Sequence, residues 1–269
     1  MARQVIDTTT DHGTYKGDAA KVAFEKTNAN FAELYDSVAS ADRGQISPNG
    51  LLMSFAGSTL TVSPGAAFIP SLAKLLPLNA PASKTLSGMT PNTWYHVYLF
   101  AKTDGTADFE VVTTAPSAPY FGTARTKGAD TTRRYLGSVR VGATGVLKFE
   151  HRGTQVFYLE DTQVAPFLVL AGGSSTAAVT VSASQVAPVT AYAVFLNALN
   201  AATNGAYVRL SNSKGPSAQT GYLALASPGG VAAVSLPVDA AQAYTYAFDN
   251  APSPAASAYH RISGYLFER

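Results

Sequence analysis

From Gly50 onward the chain is cut into short apolar segments of period two, each closed by Gly, Pro, Asn or Asp, and this pattern limits its fold more than any other feature. Alternation at two residues puts successive side chains on opposite faces of a strand, so each segment offers one face to a core and one to solvent. Segments 51–55, 59–62, 95–100, 108–112, 135–141 and 146–149 read as strands of a first antiparallel unit. Asp104-Gly105 is the clearest hairpin signal, because both central positions of a type I′ turn take positive φ, which Asp tolerates and Gly adopts freely. Charged residues thin out around 152–162. Strands at 167–170, 177–181, 191–196, 206–210, 221–225, 231–236, 243–248 and 262–267 follow, with Asn204-Gly205, Gly215-Pro216 and Gly229-Gly230 between them. This spacing suits a sandwich or jelly roll and argues against alternating strands and helices. The expected fold is mainly β, a short N-terminal α-helix followed by two antiparallel β-sandwich-like units. It divides into an N-terminal segment 1–49, a connecting module 50–152 and a distal unit 153–269.

The helix is expected over about 18–39, where Ala20, Phe24, Thr27, Phe31, Leu34 and Val38 recur at alternating steps of four and three, the spacing of a coiled-coil seam. Asp18 is placed to cap its first turn, and Gly44 and Pro48 end any helical run. A single amphipathic helix of this length is marginal in water and must lay its apolar stripe on something. Two surfaces offer themselves: copies of the same helix in a parallel bundle, or the adjacent β unit. Thr27 sits where an aliphatic residue packs better, which weighs against the bundle.

The residues are 46% hydrophobic and only 13% charged, against roughly 25% charged in an ordinary soluble chain. Such neutrality fits subunits that hide surface against neighbours, and it also fits a Ser/Thr-rich secreted β protein. A net charge of +2 with no dense Lys/Arg stripe excludes a nucleic-acid partner from the expectation. Without cysteine, neither disulfides nor thiolate metal sites hold the fold. The segment 1–10 is polar and no apolar run reaches the ~20 residues of a membrane helix, so the expected product is soluble, not membrane-inserted, and made in a cytoplasm.

Catalytic chemistry is thin, and the chain is expected not to be an enzyme, with no catalytic residue, cofactor or metal. Glycoside hydrolysis needs facing carboxylates roughly 5 to 10 Å apart. The tight acidic group is Glu150, Glu160 and Asp161, and adjacent Glu160 and Asp161 on a strand would point to opposite faces, which reads as a charged connector. His12, His96, His151 and His260 are far apart and form no metal-binding pattern. Gly172-Gly173-Ser174-Ser175 lacks the Lys of a phosphate loop. Tyrosine occurs 14 times, and its ring stacks on sugars while its hydroxyl hydrogen-bonds at small entropic cost. Candidate glycan contacts are Tyr207, Arg209, Tyr222, Tyr244, Tyr246, Tyr259 and Arg261. Each tyrosine has the competing reading of a strand or core residue.

Two stretches resemble a known family. The run from Gly17-Asp18 through Phe24, Thr27-Asn28, Asn30-Phe31 and Leu34-Tyr35 resembles the N-terminal motif of bacteriophage tail fibre and baseplate-associated proteins. The pieces Trp94-Tyr95-His96-Val97-Tyr98-Leu99, Thr113-Thr114-Ala115-Pro116, Gly122-Thr123-Ala124-Arg125 and Arg133-Arg134-Tyr135-Leu136-Gly137-Ser138 look like a β module common in phage tail appendages. Together these touch roughly the first half of the chain. The resemblance implies a structural protein of the virion tail, made in the host cytoplasm, that attaches to other tail or baseplate proteins by its N-terminus as a homotrimer. It further implies that the distal unit contacts a host-surface glycan or protein receptor. The alternatives are a pure connector carrying another adhesin and, last, a polysaccharide depolymerase.

Overall fold

The structure, a computed structural model, describes residues 5–41, 43–212 and 221–269, and the side chains of all of these except 35–41. In chain order the helix and strands are α1 (Ala20–Ala41), β1 (Met53–Ala56), β2 (Thr59–Val62), β3 (Gly65–Ile69), β4 (Lys74–Leu78), β5 (Ala82–Thr85), β6 (Thr93–Ala101), β7 (Ala107–Val112), β8 (Thr126–Lys127), β9 (Asp130–Val141) and β10 (Phe149–Arg152). They continue with β11 (Gln155–Tyr158), β12 (Leu168–Gly173), β13 (Val179–Ser182), β14 (Ala191–Asn200), β15 (Val208–Asn212), β16 (Ala224–Ala226), β17 (Val231–Pro237), β18 (Ala243–Phe248) and β19 (Ala258–Phe267). The chain is mainly β, its sheets antiparallel, with a helix near its N-terminus.

One long sheet organises the rest. Its strands run β17-β14-β19-β11-β10-β1-β2-β5, and β12 shares with β11 one edge of β19. A four-stranded sheet, β7-β6-β9-β8, covers one part of it, with Trp94 edge-on to Tyr265 at 6.3 Å and Tyr135 edge-on to Phe267 at 6.4 Å. A second four-stranded sheet, β13-β18-β15-β16, covers another part, where Tyr244 and Tyr246 pack on His260. Two sandwich-like units therefore share a sheet, and their buried residues form one continuous core.

Strand β19 serves both units because of a bulge. Ala258, His260 and Ile262 point inward, then Tyr265 and Phe267 do, so the parity switches within the strand. The register against β14 pairs Leu196 with Ile262 but Phe195 with Gly264, leaving Ser263 as the extra residue. A bulge of this kind sets two residues opposite one, and here it keeps the aromatic end of β19 on the same side as its His260 end. Gly264, next to the bulge, meets its neighbours closely: a Cβ there would stand 2.2 Å from the Val156 carbonyl oxygen, a contact only glycine avoids.

Strand β9 is buried continuously over 134–141 instead of alternating. Both its faces are covered, by the long sheet on one side and by β3 with the turn Pro70–Leu72 on the other. On the first side Gly137 lies so near Met53 that a Cβ would reach the thioether methyl at 2.4 Å.

Several sequence expectations shift. The expected boundary after residue 152 falls in the two-residue turn between β10 and β11, which pair antiparallel from Phe149↔Tyr158 to Arg152↔Gln155. The β3–β4 hairpin lies outside the expected strands, since Lys74-Leu75-Leu76-Pro77-Leu78 does not alternate. The Asp104-Gly105 hairpin forms, but with a different turn: Gly105 alone of the pair has positive φ, at 80°, and Gly105 N–H donates to Lys102 O at 2.9 Å. This is a type I turn followed by a left-handed glycine. Asp104 contributes by accepting from Thr106 N–H at 2.9 Å.

Between α1 and β1 the chain is moored by buried guanidiniums. Arg269 Nη2 donates to the carbonyls of Ser47, Pro48 and Gly50 at 3.1 to 3.3 Å, and its Nη1 donates to Leu51 O at 3.3 Å. Arg134, wholly buried, donates to Gly44 O at 3.4 Å. Charge-assisted bonds of this kind are about twice as strong as neutral ones, and they tie the segment that follows the helix to the β body.

Candidate functional site

The candidate attachment site is α1. The N-terminal arm packs along its polar side, where Lys26 Nζ reaches the Asp18 carboxylate at 2.6 Å and the Val5 carbonyl at 3.1 Å. Asp18, expected as a helix cap, turns its carboxylate to Lys26 and to the Asp7 N–H at 2.8 Å, and Lys26 holds its pKa below the ordinary carboxylate value. The apolar stripe faces away: Phe24 is 70% exposed, Phe31 52% and Leu34 55%, with Ala20 exposed at its start. Thr27, the polar residue of the seam, donates its hydroxyl to Ala23 O at 2.9 Å, so its hydrogen-bonding need is met within the helix. Val38 belongs to α1, but its side chain lies outside those described. A stripe of this kind, bare on a water-exposed helix, makes α1 a candidate contact surface.

The expected glycan contacts divide into three groups. Tyr207, Arg209 and Tyr222 lie along the β15–β16 pair, Tyr207 and Tyr222 beyond its opposite ends and Arg209 between them. Arg209 sits over the Tyr222 ring at 5.6 Å and near Asp249 at 3.8 Å, while the second Asp249 oxygen accepts from Tyr207 N–H at 2.8 Å. The Tyr222 ring is 50% exposed, with Leu223 and Leu225 exposed beside it. Tyr244 and Tyr246 are core residues instead: both are buried, and Tyr244 is hydrogen-bonded to His260 Nδ1 at 2.9 Å. They sit on the covered side of β18 with Phe248, which removes them from any surface contact. Tyr259 and Arg261 are half-buried on the far face of the long sheet, away from the Arg209 cluster.

A groove of about 1080 Å³ opens on the β body, and nothing in the sequence pattern points to it. Four turns line it, at 55–58, 86–92, 141–148 and 160–167. Glu160 and Asp161, expected on opposite faces of a strand, follow the end of β11 and both line this groove. Glu160 accepts from Lys148 N–H and Asp161 from Gln163 N–H, each at 2.8 Å, so both carboxylates brace loops.

The histidines do not converge. His96 is hydrogen-bonded to Ser138 Oγ at 2.7 Å, and His260 to Tyr244. His151 accepts from Met53 N–H through Nδ1 at 3.0 Å, and its Nε2 lies 2.9 Å from Gly153 O, which puts the proton on Nε2. Desolvation lowers their pKa values to about 4 for His96 and about 3 for His151 and His260, so all three are neutral. His12 stacks on Tyr15 in the N-terminal arm. Among the described residues no group of three or more His, Asp or Glu side chains is placed to hold a metal ion. Among the described residues no helix is long and apolar enough to cross a membrane.

No family model and no curated protein matches the chain. The candidate site therefore rests on geometry: a bare aromatic stripe on α1, and an exposed tyrosine–arginine–aspartate cluster on the smaller C-terminal sheet.

Proposed function

We propose that this chain is a non-enzymatic structural protein of a bacteriophage tail, a tail fibre or baseplate appendage. It attaches to neighbouring tail proteins through α1, assembles as a homotrimer, and turns its C-terminal β region toward the host surface. The bare stripe of Phe24, Phe31 and Leu34 carries this reading, because a helix held by its polar side and exposed on its apolar side is built to receive another chain. The resemblance of 17–35 to tail attachment motifs names the kind of chain received. The Arg209, Tyr222 and Asp249 cluster supplies what glycan recognition uses, an exposed ring beside paired charged groups.

The double variant Phe24→Ser/Phe31→Ser tests the attachment. Each phenylalanine contributes roughly 1.5 to 3 kcal/mol when buried, so incorporation into virions is expected to fall at least ~100-fold. Because both rings are exposed, the purified variant is expected to keep its stability within ~0.5 kcal/mol. Immunoblotting of purified particles beside thermal melting of the protein reads both. Normal incorporation of the folded variant would refute the attachment role of α1.

A further inference from the structure

Among the described residues no other sheet or helix covers the face of the long sheet turned away from both smaller sheets. Across it runs a row in which Ser235, Phe195, Gly264, Phe157, Glu150 and Ser54 stand opposite one another on successive strands. Phe195 and Phe157 lean together over Gly264 and stack, their ring centroids 5.0 Å apart and their planes 2° from parallel. A Cβ on Gly264 would lie 2.9 Å from the Phe195 ring, so the stack depends on the glycine beneath it. Leu266 and the 45% exposed Tyr192 stand beside it, and Val231 is exposed toward the edge strand β17.

Charge is nearly missing from this face. Over β17, β14, β19, β11, β10 and β1 the outward charged residues are Arg261, Glu150 and Arg152, and the last two close on each other at 2.7 Å. Arg261 Nε has no hydrogen-bond partner among the described residues.

We infer that this face is a contact between copies of this chain. The inference rests on the oligomeric reading above and names the surface by which the β bodies of that oligomer meet. An apolar, aromatic centre depleted of charge is the composition of a permanently covered self-contact. A surface that meets a separate partner by diffusion gains from charges that steer the encounter. A surface that meets its own copies gains from having few, because like charges would face each other. Six strands spaced ~4.8 Å apart present roughly 600 Å² of sheet, close to the ~800 Å² per partner of a standard stable interface. The stacked phenylalanines at its centre form a preassembled anchor of the kind that dominates interface energies.

Light scattering of the full chain across a dilution series tests this. The wild type is expected at a multiple of the 28.0 kDa chain mass. The variant Tyr192→Lys/Leu266→Lys sets two cations into the face of every copy, and its self-association is expected to weaken at least ~10-fold, about 1.4 kcal/mol, with its circular dichroism unchanged. Tyr192→Lys alone, at a half-exposed position, gives the same readout in the same direction should the Leu266 change disturb folding. If both folded variants keep the wild-type oligomeric mass at every concentration, the inference is overturned and the oligomeric reading stands. A wild type found at 28.0 kDa throughout overturns both.

Discussion

Tyr265→Ala is expected to lower the unfolding free energy by about 4 kcal/mol, the range for truncating a buried large aromatic, and to do so in a single transition. The ring of Tyr265 touches Trp94, Tyr158 and Phe267, and its hydroxyl donates to Ser138 O at 3.3 Å. Its neighbours thus come from both halves of the sequence, on β6, β9, β11 and β19. Its own strand pairs with β14 on one edge and with β11 and β12 on the other. Loosening this residue loosens the sheet that both sandwich-like units share. Urea unfolding followed separately by Trp94 fluorescence and by far-ultraviolet circular dichroism should give coincident curves, both shifted. Two separate transitions, only one of them displaced, would contradict the shared core.

Acid is expected to unfold the protein between about pH 4 and pH 5, through the three buried histidines. Each has a folded pKa below its unfolded value of ~6.5: about 4 for His96 and about 3 for His151 and His260. The folded state therefore binds fewer protons than the unfolded state below pH 6.5. The contribution of each histidine is complete above that pH and is lost as pH falls toward the folded pKa. Each costs about 1.4 kcal/mol per pH unit in that window, so the three together remove ~4 kcal/mol per unit. Two pH units then consume most of the ~5 to 15 kcal/mol that holds a typical domain. Circular dichroism against pH measures the midpoint. Retention of the native signal to pH 3 would mean that these rings are protonated or hydrated within the fold.

Much of this architecture is written in the local pattern, and the failures have physical causes. Segments 59–62 and 243–248 alternate cleanly and are strands with those bounds. Strand β4 is not legible in this way, because its run Leu75-Leu76-Pro77-Leu78 lacks alternation and its partner β3 is short and Ala-rich. The β10–β11 hairpin straddles the boundary expected after residue 152, since a fall in charge looks the same in a linker and in a buried strand. Tyr244 and Tyr246 illustrate another limit. Period two assigns them to one face of β18, opposite Thr245 and Ala247, but does not say which face another sheet covers. Large rings alternating with small residues are the available sign of a core face. The stripe on α1 is legible because a helix carries its own geometry, and the structure adds which side the N-terminal arm occupies. The groove lined by Glu160 and Asp161 is beyond reach, because four turns distant in sequence build it.

The proposal that this protein stands in a virion tail is tested most directly by labelling. Purified particles decorated with an antibody against 153–269 should show density at the tail, on the side away from the attachment of α1. Particles assembled with Phe24→Ser/Phe31→Ser should lack that density. Intact tails without label, or label unchanged by the double substitution, would contradict that placement.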